Sequence, residues 1–282
     1  MRQVVTVAEL RAARAVFGRR GESVAFVPTM GAIHEGHLSL VALARRAADR
    51  VVASIFVNPL QFGPGEDYRR YPRPLRRDRA RFAAAGVDLL WEPRVEDVYP
   101  PGDRTRVQVR ELTATLEGAS RPGHFDGVTT VVARLLHAVQ PEQLWLGQKD
   151  AQQAVVLERM IADLLVPTRV RRGPTIREPD GLARSSRNAY LGARERQQAV
   201  ALSQGLSSAR VLLGRGERSA ARLAAAIRLE WSGYPLVRED YVAVVDAGTL
   251  QPVRTVNGRV LVAVAARIGR TRLIDNFEWS PR

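Results

Sequence analysis

Residues 24–37, Val24-Ala25-Phe26-Val27-Pro28-Thr29-Met30-Gly31-Ala32-Ile33-His34-Glu35-Gly36-His37, run from an apolar segment into a turn with two glycines and two histidines. The apolar start reads as a short buried strand, 23–28, and Leu38 to Arg50, rich in Ala, Leu and Arg, reads as a helix. The stretch is therefore a strand-to-helix turn with His37 at or near the helix start. Unpaired backbone N–H groups and the positive end of the helix dipole favour an anion at such a place. Gly31 and Gly36 let backbone or ligand approach where a side chain would obstruct. The turn reads as a phosphate-handling one.

Outward from this turn the pattern alternates. Thr6 to Phe17 reads as a helix with Thr6 and Glu9 in capping-box spacing, and the N-terminus leads straight into it. Val51–Val57 reads as a second strand and Leu75–Ala85 as a helix stopped by Gly86. Val87–Trp91 follows as a strand, and residues 107–116 are ambiguous. A turn-rich loop, 117–127, precedes a helix over 128–139, with His124 in the loop and His137 on the helix. Residues 144–146 read as a strand, Ala151–Asp163 as a helix opening at Asp150, and Val166–Val170 as the last strand. Strand–helix alternation predicts a parallel α/β sheet with helices on both faces, whose ligands collect at the carboxyl ends of the strands. Residues 28–37, 58–61 and 147–150 each follow a predicted strand. From about residue 176 the texture changes to helices near 193–213 and 218–231, then strands near 238–246, 259–266 and 271–277. The expected organisation is a catalytic domain, 1–175, and a smaller α+β domain, 176–282.

The 282 residues carry a net charge of +14 with 45% apolar residues, a globular composition. Aromatic residues make up 6% and are not interleaved with the arginines, so the charge reads as solvated helix faces rather than a nucleic-acid platform. The absence of cysteine excludes disulfides, thiolate metal sites and cysteine nucleophiles. No apolar run is long enough to span a membrane, and no secretion signal is visible, so a cytoplasmic location is expected. Among 43 basic residues Lys149 is the only lysine, a compact point charge kept in a chain that otherwise uses the planar arginine fork.

The chemistry of the clusters leaves alternatives open. His34 and His37 suit phosphate oxygens, or a metal if further ligands were supplied. Asn58 and Gln61 are uncharged amides able to hold a hydroxyl or carboxylate, and Gln153 stands one helical turn after Asp150. Ser185-Ser186-Arg187 offers two hydroxyls and a guanidinium to an oxyanion. Neither a P-loop nor a Gly-x-Gly-x-x-Gly turn after a strand is present.

Four segments, 28–37, Phe56-Val57-Asn58-Pro59-Leu60-Gln61-Phe62, Gly147-Gln148-Lys149-Asp150-Ala151-Gln152-Gln153 and Ser185-Ser186-Arg187-Asn188, together resemble the pantoate–β-alanine ligase family from end to end. The resemblance implies a Rossmann-like nucleotidyltransferase domain with a small C-terminal lid. It implies ATP-dependent joining of pantoate and β-alanine through pantoyl adenylate, with Mg²⁺ accompanying ATP, in a homodimer. It places ATP on Met30, Gly31, Ala32, Ile33, His34, Glu35, Gly36 and His37. It adds Gly147, Gln148, Lys149, Asp150, Ile176, Arg184, Ser185, Ser186 and Arg187 to that nucleotide site. His37 is the implied proton donor beside His34, with Lys149 and Arg187 neutralising phosphate. Gln61 and Gln153 hold pantoate, with Asn58 supporting them. No protein ligand for a metal is assigned. Three departures stand out: Arg184 where the family has Met, Gln148 where Glu is usual, and Arg76 and Arg77 ahead of Asp78 where some relatives are acidic. The expected consequence at Arg184 is an extra charge in its loop. An adenylyltransferase of the same superfamily and a basic RNA-binding protein are the competing readings.

Overall fold

The structure, a computed structural model, describes residues 1–281 and divides into two compact units. The first holds Met1–Thr113, Arg121–Gly147 and Gln153–Pro174; the second holds Ala114–Ser120, Gln148–Gln152 and the chain from Thr175 onward.

The first unit is a six-stranded, all-parallel sheet. Its elements in chain order are β1 (Arg2–Val4), α1 (Val7–Arg19), β2 (Val24–Thr29), α2 (Glu35–Ala47), β3 (Arg50–Ile55), α3 (Leu75–Ala84), β4 (Leu89–Trp91) and the single turn α4 (Val95–Val98). After α5 (Glu117–Ser120), which groups with the second unit, come α6 (His124–Val139), β5 (Gln143–Gly147), α7 (Ala151–Asp163) and β6 (Arg169–Gly173). The strand order is β1-β4-β3-β2-β5-β6. Alternate residues of one strand serve opposite faces: Val24 and Phe26 join a core with α1, α6 and α7, whereas Ala25 and Val27 join one with α2 and α3. Both faces of β2 are thus apolar, which is why its sequence is a continuous apolar run rather than an alternating one.

From β2 the chain crosses through α2 to β3 on one side, and from β5 through α7 to β6 on the other. The neighbours β2 and β5 therefore flank the topological switch point, where open α/β sheets bind ligands beyond their carboxyl ends.

Several boundaries differ from the sequence reading. The N-terminus first forms β1, pairing in parallel with β4, before Thr6 caps α1. Three residues carry no periodicity, so the strand is fixed by its partner alone. Helix α2 begins at Glu35, ahead of the expected start, because the His34 side chain caps it. Helix α6 begins at His124 rather than 128, and β6 lies at 169–173 rather than 166–170.

The second unit is an antiparallel sheet, β7 (Val237–Asp246), β8 (Val260–Ile268) and β9 (Thr271–Trp279), with helices α8 (Ala193–Gln198), α9 (Ala201–Gly214) and α10 (Ala220–Trp231). The helix expected over 193–213 is thus two helices. Leu202, Leu206 and Leu213 of α9 and Leu223, Ile227 and Trp231 of α10 pack on Val262, Val264 and Phe277. The segment 114–120 is tied in by charge: Arg272 makes two 2.7 Å hydrogen bonds to the Glu117 carboxylate, which also accepts from the Tyr241 hydroxyl at 2.9 Å. Burial and the adjacent Glu117 push the Tyr241 hydroxyl well above its ordinary pKa, so it stays a donor. Among the described residues no helix is long and apolar enough to cross a membrane.

Candidate active site

The turn after β2 is closed by its own side chains. Gly31 and Ala32 are both left-handed, with φ of 87° and 50°. The region costs an L-residue about 1–2 kcal/mol, so Ala32 needs outside support. That support comes from Asp78 of α3, fully buried, whose two carboxylate oxygens accept the N–H groups of Ala32 at 2.8 Å and Ile33 at 2.9 Å. The N–H of Gly31 donates to Thr29 Oγ1 at 3.2 Å. The N–H of Gly36 donates to His34 Nδ1 at 3.1 Å, and that of His34 to His37 Nδ1 at 3.3 Å. The expectation of unpaired backbone donors is therefore corrected: these five amides are engaged inside the protein, because a carboxylate, a hydroxyl and two imidazoles outcompete water for them.

This capping fixes the rings. A neutral imidazole whose Nδ1 accepts a backbone N–H carries its proton on Nε2. His34 and His37 are stacked with centroids 4.0 Å apart and planes 27° from parallel, so two Nε2–H donors stand side by side at the start of α2. Gly36 is what permits this: a Cβ there would lie 2.8 Å from His34 Cε1 and 2.9 Å from its Nδ1.

Behind β3, Asn58 is almost fully buried and heads a short 3₁₀ turn, Pro59–Gln61. Its Oδ1 accepts from Leu60 N at 3.2 Å and from the Tyr99 hydroxyl at 2.7 Å. Its Nδ2 donates to Gly127 O at 3.0 Å and Gln61 Oε1 at 3.1 Å. All four hydrogen-bonding positions of the amide are thus filled by protein, so Asn58 positions Gln61 rather than offering a free amide. Gln61 Nε2 lies 3.0 Å from Met30 Sδ, which joins this turn to the histidine turn. The Gln61 carbonyl accepts from His124 Nδ1 at 2.8 Å and Arg121 at 3.2 Å. His124 thus links the Gln61 carbonyl to Arg121, whose guanidinium meets its Nε2 at 3.0 Å, while His137 bonds the Ala133 carbonyl within its own helix.

Gly127 of α6 was not singled out by the sequence, and it is the closest approach in this region. A Cβ would stand 2.3 Å from Leu60 O and 2.6 Å from Gln61 N, both backbone atoms unable to swing aside. Gly127→Ala gains helix propensity of up to about 1 kcal/mol, but must push the 59–61 turn back. A displacement of that order is expected to lower kcat/KM for pantoate, the ligand that the resemblance implies for Gln61, by about 10- to 100-fold. Steady-state kinetics checks this, and an unchanged kcat/KM for pantoate would refute it.

Arg121 also holds Glu66 by hydrogen bonds of 2.7 and 2.6 Å. Burial alone raises the Glu66 carboxyl, but the hydrogen bonds and charge of Arg121 outweigh it and the net shift is downward. A lowered folded-state value means the stabilisation is fully present above the ordinary carboxylate range and is lost as pH falls through the lowered value. The destabilisation caused by Glu66→Gln, read by urea unfolding, is expected to be full near neutrality and to shrink below about pH 4. A difference independent of pH would show that the charge plays no part.

In the second unit, the 3₁₀ turn Gln148–Asp150 is held by β9: Asn276 Nδ2 donates to the Lys149 carbonyl at 2.8 Å. Gln148 Nε2 faces Glu278 Oε1 at 3.2 Å and Asn276 Oδ1 at 3.4 Å. An amide donor suits these two acceptors, whereas a glutamate would oppose Glu278, so the departure at 148 has a local reason. The Lys149 ammonium is 3.8 Å from Asp150, a long, weak pair. Ile176 O accepts the Arg184 N–H at 2.8 Å, and Arg184 pairs with Glu178 at 3.0 Å. The extra charge expected in that loop is therefore neutralised within it. Ser185 caps the 3₁₀ turn Ser186–Tyr190 through the Arg187 N–H. Gln153 stands on α7 in the first unit; its neighbour Gln152 bonds Glu117 N and Thr115 O in the second. Among the described residues no group of three His, Asp or Glu side chains could hold a metal ion.

The chain is similar to proteins of one family along its whole length. The family described as Pantoate-beta-alanine ligase matches residues 2–278. A pantothenate synthetase of Moorella thermoacetica is 52% identical over 276 residues, 98% of both chains. The crystal structure of pantothenate synthetase from Thermus thermophilus superposes with a TM-score of 0.95 at 52% identity, covering both chains fully. A pantoate–β-alanine ligase from Francisella tularensis, complexed with β,γ-ATP and β-alanine, is 34% identical with a TM-score of 0.80, covering 98% of this chain and 97% of that one.

Proposed function

From membership of the pantoate–β-alanine ligase family, to which this chain belongs, we propose a two-step reaction that forms pantothenate through an acyl adenylate. In the first step a carboxylate oxygen of pantoate attacks the α-phosphorus of ATP and pyrophosphate leaves. In the second the β-alanine amine attacks the acyl carbon, the new amide bond forms, and AMP departs. ATP and β-alanine are the ligands named for the Francisella relative. Mg²⁺ enters with ATP as part of that substrate. No protein side chain is assigned to hold it, since both oxygens of Asp78, the carboxylate buried against the turn, are bound to amides.

The observation that supports this reading is the stacked His34–His37 pair at the carboxyl end of β2, where Nδ1 capping leaves both rings as Nε2–H donors. Adenylyl transfer asks the protein for alignment and for stabilisation of charge developing on phosphate oxygens rather than for covalent chemistry. His37 donates to the phosphate under attack and His34 supports it. Lys149 and Arg187 neutralise the leaving pyrophosphate and adenylate. Residues 30–37, 147–150, Ile176 and 184–187 are the proposed ATP-binding residues, and Gln61 and Gln153 the proposed pantoate-binding ones, each offering directed hydrogen bonds. A homodimer in the cytoplasm, as the resemblance implies, completes the reading.

The test is pantoate-dependent exchange of labelled pyrophosphate into ATP, followed by β-alanine-dependent release of AMP. Both are expected. Exchange that ignores pantoate, or AMP release that ignores β-alanine, would defeat the proposal.

A further inference from the structure

We propose that α3 acts as a clamp on the nucleotide turn, with Asp78 and Arg81 as positioning residues for the first, ATP-using step. The inference rests on the reaction proposed above and assigns it two residues that carry no role there.

The geometry is specific. Asp78 and Arg81 stand three apart, on one face of the helix. Asp78 takes the N–H groups of Ala32 and Ile33, one on each carboxylate oxygen. Arg81 donates to the Ile33 carbonyl at 2.5 Å and to the Glu35 carboxylate at 2.7 Å. Both polar groups of Ile33 and one of Ala32 are therefore held by a single helix some 45 residues further along the chain. The Ile33 side chain is itself fully buried, so the clamp acts on the one residue that anchors the turn in the core.

Two consequences distinguish this from ordinary packing. The turn consists of two successive left-handed residues followed by the His34 cap, and a backbone rotation at Ala32 is transmitted directly to both imidazoles. The bidentate grip on two adjacent amides also removes them from any anion, so the phosphate-facing donors of this turn are the imidazole Nε2–H groups whose direction the clamp sets. A carboxylate is required for this. Two acceptor oxygens meet two N–H groups, whereas an asparagine in the same place would turn an NH₂ group against one of them. The aspartate is accordingly a holder of backbone rather than a ligand for the metal that travels with ATP.

The experiment compares Asp78→Asn and Arg81→Gln with the unsubstituted protein. ATP and pantoate binding are measured separately by calorimetry, pantoate-dependent pyrophosphate exchange by label, and the folded fraction by thermal unfolding. In folded Asp78→Asn the expected result is ATP binding weakened by about tenfold and exchange slowed by about a hundredfold, the scale set by misplacing a preorganised donor pair. Pantoate binding is expected to stay within about twofold, because Gln61 and its supports lie outside the clamp. Unchanged ATP binding and exchange, or equal weakening of ATP and pantoate, would overturn the inference. Should Asp78→Asn not fold, Arg81→Gln, on a partly exposed side chain, is expected to show the same ATP-selective loss on a smaller scale, about threefold in ATP binding and about tenfold in exchange. Behaviour of that variant like the unsubstituted protein would equally overturn it. Absence of pantoate dependence in the unsubstituted protein would sink the reaction scheme instead, while the ATP-binding comparison would still decide the clamp.

Discussion

His37→Ala is expected to lower turnover by about two to three orders of magnitude, the scale of losing one preorganised charge-stabilising donor. Two effects combine. The Nε2–H donor disappears, and the His34 N–H loses the acceptor that His37 Nδ1 provides. Stability is expected to change little, because the ring lies on a half-buried helix start rather than in either core of the first unit. The measurement is pantoate-dependent pyrophosphate exchange beside a thermal unfolding curve. Near-normal exchange in a folded variant would remove His37 from the mechanism.

Lys149→Ala is expected to cost a similar two to three orders, for a different reason. The ammonium is a point charge on a flexible stem, carried by a turn whose backbone Asn276 holds. Its carboxylate neighbour, Asp150, is 3.8 Å away and half exposed, too weak a partner to occupy the charge. Lys149→Arg is expected to recover only part of the loss. A guanidinium fork keeps the charge but delocalises it over a plane that does not fit between phosphate oxygens as a single ammonium does. Full recovery with arginine would mean that charge alone matters at this position, and full activity in Lys149→Ala would exclude it from the reaction.

Arg50 bridges Glu22 and Asp88, Arg134 holds Asp103, and Arg272 joins Glu117 and Asp240. Arginine serves here as the fork that ties elements together.

What the sequence determined by itself was the part governed by local rules. The apolar run of β2, the capping box at Thr6, the stop at Gly86 and the alternation of strand and helix each depend on residues within a few positions of one another. The positions of the histidine turn after β2 and of the lysine turn after β5 were legible for the same reason, since each follows a local apolar run. The tertiary structure alone decided everything that needs a distant partner. Three residues of β1 become a strand only beside β4, and 114–120 joins the second unit only because Glu117 finds Arg272. The partners that fill the Asn58 amide, Tyr99 and Gly127, lie some 40 and 70 residues further along and appear only in the fold. Asp78, buried and bound to the amides of Ala32 and Ile33, gives no local sign of its role. Hydrophobic period and turn propensity are properties of neighbours along the chain, whereas the satisfaction of a buried hydrogen-bonding group is a property of neighbours in space.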